Sequence, residues 1–546
     1  MYTIGYDFGD TWAELKPLRF SVRLFTEQNV YAPDPDRTAV YVSDREVRLE
    51  ATGLAWAGLQ EKAEGYLKLR AVRTGEHRFA VSAEGGHARE ICKAVLLQVD
   101  GIDVRYLRFD DGEKAEIDGR GAIAARRYPP SIRDLRVKMP LVFAENDRGE
   151  QWFALSKDTK LREKRFACHY DPFIRSSVLD LAHEEDRRRR GRTVRMPEWH
   201  IGKTADRRPV VLERCGDLER HFGLVPYALR SDKPAWLDDI RLVVYFHGEH
   251  WTGHVFNTFD AMADQLDWIA DRMPGRRIMA FLPGWDGRYY FNYPRYEPSE
   301  RMGGSAGLKR FIERANRRGV KVVLMLGSNN ANADVMRELG LEDAQIRDAW
   351  GVPKWCDWVD WDYDLAPEKH GILANMGHPG YLHYMASKAD QLIREYGVHG
   401  IFLDITFWWE NDPRYSHYEG MKEFCRIVRG KHPDVLVFGE NSYDALWGVF
   451  PMFAESYGPG SYDDVLYRYC RQAYYLAHPE VVSGSGGIHE QAWHSPEGGA
   501  TSPDRLVPTL AVLADTIGKY GEEVERILER ARIWQPTGED VRHPAP

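Results

Sequence analysis

At 546 residues the chain is too long for one ordinary core, and 43% hydrophobic with 29% charged residues is the balance of a folded globular protein, so two or three domains are expected. A formal charge of −9 argues against nucleic acid as the partner, because phosphate binding needs a basic footprint. The opening MYTIGYDFGDTW has no basic segment leading into an apolar one, and no uncharged apolar run of about 18 residues occurs, so neither export nor membrane spanning is encoded and a cytoplasmic location is expected.

From residue 1 to 180 short alternating runs such as LRFSVRLF, EVRLEA and QWFALS are broken by turn residues. A period of two with frequent breaks predicts an antiparallel β-sandwich, a supporting or substrate-shaping domain. Within HEEDRRRRGR (His183 to Arg192) the acids Glu184, Glu185 and Asp186 precede the arginines, which predicts a solvated, self-neutralising loop. Residues 181–237 read as a polar connector carrying Pro197, Pro209, Pro226 and Pro234. The cysteines Cys92, Cys168, Cys215, Cys356, Cys425 and Cys470 lie far apart, which disfavours a disulfide framework and a zinc site. No cofactor and no metal are expected.

From residue 238 the pattern changes to strands alternating with helices, which implies a parallel sheet. Strand one is Arg241 to Trp251, and its helix starts at Asn257 as N-cap and buries Phe259, Met262, Leu266 and Ile269. Strand two is Arg277 to Gly287 and strand three Val320 to Asn330, with a helix between them burying Leu308, Phe311, Ile312 and Ala315. An excursion rich in Trp and Asp (Ala331 to His378) precedes a helix that ends at Gly397, where a C-cap glycine is expected. Strand four lies in HGIFLDITFWWEN (His399 to Asn411), and strand five is VLVFGEN (Val435 to Asn441). Val449 to Ser456, Val481 to Gly487 and Leu506 to Asp515 are candidates for strands six to eight. Eight strands over 238–532 predict a (β/α)8 TIM barrel behind the sandwich, followed by a tail at 533–546.

In such a barrel the residues just past each strand share one mouth. These are His247, Glu249, His250 and Trp251, then Trp285 and Asp286, then Asn329, then Asp404, then Glu440 and Asn441. Glycoside hydrolysis needs two carboxylates flanking the scissile bond, and Asp404 and Glu440 on adjacent strands supply them. Neighbouring strands lie about 4.8 Å apart, which suits the roughly 5–5.5 Å of retaining enzymes better than the roughly 6.5–9.5 Å of inverting ones. Trp251, Trp285, Trp408 and Trp409 offer faces for stacking on sugar rings, and His247, Glu249, Asp286, Asn329, Asn441 and His489 offer hydrogen bonds to hydroxyls. The histidines of GGIHEQAWH are five apart, one too many for a helical zinc pair, so His489 is read as a substrate contact.

HPGYLHYMASKADQLIREYGVHGIFLDITF resembles the helix-to-strand-four passage of barrel glycoside hydrolases of the α-amylase (family 13) and α-glucosidase (family 31) groups. The resemblance implies Asp404 as nucleophile and, on the amylase pattern, Glu440 as acid/base. Amylases carry Arg where this chain has Phe402, and GSNN (Gly327 to Asn330) lacks their strand-three Asp and His. In α-glucosidases the acid comes from strand six, which keeps Glu455 in reserve. The expected function is therefore a retaining glycoside hydrolase acting on an oligosaccharide or glycoside, with a homo-oligomer compatible with the sequence. A sugar lyase, isomerase or transglycosylase using the same pair, or a non-catalytic carbohydrate-binding barrel, stays open.

Overall fold

The computed structural model describes residues 11–109, 114–117, 124–131, 137–171, 174–250, 253–356, 371–455, 463–474, 506–513 and 515–535. The N-terminal part forms two nine-stranded antiparallel sheets face to face. Their facing residues, among them Phe20, Val22, Leu97, Phe166 and Trp199, form one apolar core. The second sheet runs past residue 180, because Thr193–Thr204 pairs on one side with Gln151–Ser156 and on the other with Arg78–His87. Pro197 is accommodated there because the register shifts between Met196 and Trp199, a bulge at which no ladder N–H is required of it.

The arginine run links the strands Ser176–Glu184 and Thr193–Thr204. It neutralises itself in part, with Arg188 against Asp186 at 2.8 Å, but it is not merely solvated. The Arg190 side chain is wholly buried against Glu184, and Arg187 Nε donates to the Ala349 carbonyl in the C-terminal half at 2.8 Å.

Eight parallel strands follow: β1 (Leu242–Phe246), β2 (Ile278–Leu282), β3 (Lys321–Gly327), β4 (Gly400–Asp404), β5 (Leu436–Glu440), β6 (Met452–Glu455), β7 (Arg471–Tyr474) and β8 (Thr509–Val512). They are ordered β7-β6-β5-β4-β3-β2-β1-β8. A parallel bridge between Ala473 and Val507, with Val507 N–H donating to Gln472 O at 2.9 Å, closes the ring, so the sheet is a barrel. LVVYF, IMAFL, GIFLD and LVFGE are buried at every position, as strands covered on both faces must be. β7 precedes the expected stretch 481–487, which lies outside the described residues.

Helices cover the outside: α1 (Arg208–His221) before the barrel, then α2 (Phe259–Ala270), α3 (Gly304–Arg318), α4 (Pro379–Tyr396) and α5 (His417–Lys431). α4 ends at Gly397 with φ of 70°, the left-handed cap a glycine permits. The N-cap of α2 is Thr258, not Asn257. Asn257 is committed elsewhere, donating its amide to the His247 carbonyl at 2.8 Å and the Val512 carbonyl at 2.9 Å, which ties the ends of β1 and β8. Among the described residues no helix is long and apolar enough to cross a membrane.

Inside the barrel Tyr245, Phe281, Phe402 and Phe438, from β1, β2, β4 and β5, pack edge to face or tilted as one layer. Ring centroids lie 4.7 Å apart for Tyr245–Phe281 and Phe281–Phe402, and 4.9 Å for Phe402–Phe438. That layer accounts for Phe402 where an amylase has Arg: the side chain fills the barrel between Phe281 and Phe438. Met139, Leu141, Phe143, Phe153 and Leu155 of the N-terminal half share a core with α1 and the barrel, so the two halves are packed together.

Candidate active site

Side chains alternate along a strand, so residues two apart share a face. Asp404 follows Phe402 by two and Glu440 follows Phe438 by two, and Phe402 and Phe438 are register partners whose rings pack inside the barrel. Asp404 and Glu440 therefore both rise into the mouth, one step past the register pair Leu403–Gly439, and both are buried.

The chain turns sharply at both acids. Ile405 has φ of 56°, a left-handed conformation rare for a β-branched residue, and Asn441 has φ of 51°, which an asparagine adopts more readily. Such strain costs about 1–3 kcal/mol per residue and persists only where the surroundings over-determine it. Here two hydroxyls do so. Ser328 Oγ, beyond β3, donates to the Asp404 carbonyl at 2.6 Å and the Ile405 carbonyl at 3.0 Å. Thr406 Oγ1 donates to the Glu440 carbonyl at 2.7 Å and the Asn441 carbonyl at 3.2 Å. The turn also brings Ile405 N–H onto Glu440 Oε2 at 2.9 Å, fixing that carboxyl beside Asp404. Below it, burial and the charge of Glu440 push the Tyr245 phenol well above its ordinary range, so Tyr245 stays a proton donor.

On the opposite wall Glu249 is held by Ser299 Oγ at 2.7 Å and Arg301 at 2.6 Å. Asp286 is buried, and neither carboxylate oxygen accepts a hydrogen bond from another of the described residues. Burial, with the Glu249 charge added, raises its carboxyl well above the usual range and so favours the protonated form, which can both donate and accept. His247 and His250 lie beside each other, ring centroids 5.8 Å apart.

The remaining expected residues divide. Asn329 donates to the Trp408 carbonyl at 3.3 Å, and its own carbonyl oxygen Oδ1 is buried without a partner among the described residues. Trp408 and Trp409 are buried, and Trp409 N–H donates to the Pro130 carbonyl of the sandwich at 2.9 Å. Arg127 lies 5.7 Å over the Trp409 ring and pairs with Glu410 at 3.2 Å. Trp285 is fully buried and gives its indole N–H to the Met325 carbonyl at 2.8 Å, so its ring is part of the wall. Trp251, His489 and the side chain of Glu455, the last residue of β6, lie outside the described residues.

Sequence reasoning missed Tyr245, Ser328, Thr406 and a support behind Glu440. Asp444 accepts from Tyr128 Oη at 2.6 Å and Arg214 Nε at 2.7 Å, with all three side chains buried. Its own N–H donates to the Lys138 carbonyl at 2.9 Å. The sandwich, α1 and the segment after β5 thus meet at one carboxylate.

No protein-family model matches the chain. Its fold is similar to that of the α-N-acetylgalactosaminidase NagBb from Bifidobacterium bifidum, in the ligand-free form with TM-score 0.64 and 13% identity over 96% of this chain and 93% of that one. The Gal-NHAc-DNJ complex of the same enzyme gives TM-score 0.65 at 13% identity, again over 96% and 93%. An α-galactosidase from Lactobacillus brevis gives TM-score 0.51 at 13% identity, over 96% of this chain and 70% of that one. The expectation of an amylase-like or α-glucosidase-like chain thereby gives way to a coarser one: this chain has a sandwich-and-barrel fold shared with glycoside hydrolases of α-galactosidase and α-N-acetylgalactosaminidase type.

Proposed function

We propose that the chain is a retaining glycoside hydrolase in which Asp404 is the nucleophile and Glu440 the acid/base. The observation that carries this reading is the placement of two buried carboxylates side by side at the ends of β4 and β5, one of them oriented by the Ile405 N–H next to the other. In the first step Glu440 gives its proton to the glycosidic oxygen while Asp404 attacks the anomeric carbon, forming a covalent glycosyl-enzyme. In the second, Glu440 takes a proton from water, which displaces Asp404 and releases the sugar with its configuration retained. Asp286, Glu249 and the histidines of the facing wall supply hydrogen bonds to ring hydroxyls. The fold likeness supports α-linked galactose or N-acetylgalactosamine as the sugar.

The test is hydrolysis of aryl α-galactosides and α-N-acetylgalactosaminides by the wild type, Asp404→Asn and Glu440→Gln. Turnover by the wild type, a loss of about a thousandfold or more in Asp404→Asn, and a first-formed product of retained configuration are expected. Undiminished turnover in Asp404→Asn overturns the assignment. Sugar binding without any turnover replaces it by the non-catalytic carbohydrate-binding reading.

A further inference from the structure

A cavity of about 350 Å3 lies between the sandwich and the barrel, within the range of small-ligand pockets, which is about 300–1,000 Å3. Its walls come from both halves: Lys93, Arg127 and Glu184 from the sandwich, Trp350 and its neighbours from the excursion after β3, and Glu410 from the segment after β4. The last two segments leave the C-terminal ends of β3 and β4, and Asp404 closes β4, six residues before Glu410.

Charge decides what it takes. Four cationic and four anionic side chains line it, and they neutralise one another. Lys93 lies 3.8 Å from Glu184, and Arg127 lies 3.2 Å from Glu410. An ion entering would have to compete with a partner already in place, whereas hydroxyl groups can bond to such pairs at their edges without separating them. Trp350, 57% exposed, supplies the aromatic face, with Lys93 Nζ 4.5 Å from its ring centroid. Its loop is braced by Asp348 Oδ1, which accepts from the backbone N–H groups of Trp350 at 2.9 Å and Val352 at 3.0 Å. Planar charged groups around an exposed Trp suit a neutral, polyhydroxylated ligand.

We infer that this cavity binds a neutral saccharide on the leaving-group side of the scissile bond, so that the sandwich takes part directly in substrate choice. The inference rests on the hydrolase reading for its leaving-group role, and on the cavity alone for saccharide binding. The sandwich is then more than a brace for the barrel. It supplies one wall of the subsite, and the barrel loops supply the other.

The experiment compares two substrates with the same terminal sugar, an aryl glycoside and a glycoside whose leaving group is a di- or trisaccharide, in the wild type, Trp350→Ala and Lys93→Ala. A fall of about tenfold in kcat/KM for the saccharide-linked substrate, carried by KM, is expected in Trp350→Ala, with the aryl glycoside within about twofold. A smaller fall of the same kind in Lys93→Ala shows that the sandwich contributes. An unchanged ratio between the two substrates in Trp350→Ala overturns the inference. Calorimetric titration of the free leaving-group saccharide into Asp404→Asn, with and without Trp350→Ala, reads the cavity even if no glycoside is turned over. Heat lost only in the double variant supports the subsite. No heat in either form, or equal heat in both, overturns it.

Discussion

Ile405 donates its backbone N–H to Glu440 Oε2 at 2.9 Å, so the residue that follows one carboxylate orients the other. Ile405 is left-handed, and the Ser328 hydroxyl bonds to its carbonyl. Removing the hydroxyl tests whether the strain serves the site. Ser328→Ala deletes a buried hydroxyl whose one proton is shared between two carbonyls and should cost about 1–3 kcal/mol in thermal or denaturant unfolding, with kcat falling about tenfold or more as the carboxyls lose their alignment. Thr406→Val, which deletes the matching hydroxyl beneath Asn441, should behave in the same way. Loss of stability with unchanged kcat in both would show that the turns are architectural only.

Phe402 occupies the place of the arginine found in amylases, and its ring sits between Phe281 and Phe438. Phe402→Ala should therefore destabilise the barrel by about 3–5 kcal/mol, the range for large-to-small changes in a closed core. Phe402→Arg, which buries an unpartnered charge in the same layer, should leave no soluble folded protein. A folded Phe402→Arg variant, read by circular dichroism and its melting transition, would mean that the barrel interior is wetter than the aromatic layer implies.

Asp286 gives a pH dependence with a definite sign. Its carboxyl is raised in the folded protein, so above the ordinary range of about 4 the native state holds a proton that the unfolded chain has lost. The stability associated with this group is complete at low pH and drains away as the pH climbs toward the raised value. Asp286→Asn, neutral in both states, should abolish that drain. The difference in melting temperature between Asp286→Asn and wild type should increase as the pH rises from about 4 toward the raised value. A constant difference across that range would place the native carboxyl at its ordinary value.

How much of this was legible in the sequence follows from how local each signal is. Asp404 and Glu440 stood out because GIFLD and LVFGE are apolar up to the acid, which only a strand buried on both faces and ending at a polar mouth produces. β7 was not legible, since Arg471 and Gln472 are buried polar residues within it and break the apolar run that marks the other strands. Trp285 looked like a stacking surface because exposure cannot be read from residue type, and its indole is spent on the Met325 carbonyl. The support behind Glu440 was hidden for a further reason: Tyr128 and Arg214 stand 316 and 230 positions from Asp444, and no spacing rule spans such separations.

That support yields the last prediction. Arg214 and Asp444 are both fully buried, Tyr128 donates to the same carboxylate, and the charge of Asp444 holds the Arg214 guanidinium protonated against burial. Asp444→Ala strands the Arg214 charge and should cost about 3–5 kcal/mol, whereas removing both charges as Arg214→Met with Asp444→Leu should cost much less, because an apolar pair of similar volume avoids the desolvation penalty. Tyr128→Phe, losing one hydrogen bond to an anion, should cost about 1.5–3 kcal/mol. Because Asp444 lies four residues past Glu440, the double variant should also separate folding from function. A folded double variant with kcat lowered and KM little changed makes the network a positioning device for Glu440, and one with wild-type kcat confines it to joining the sandwich to the barrel. The first result is expected, since Asp444 is where the sandwich, through Tyr128 and the Lys138 carbonyl, meets the turn that follows Glu440.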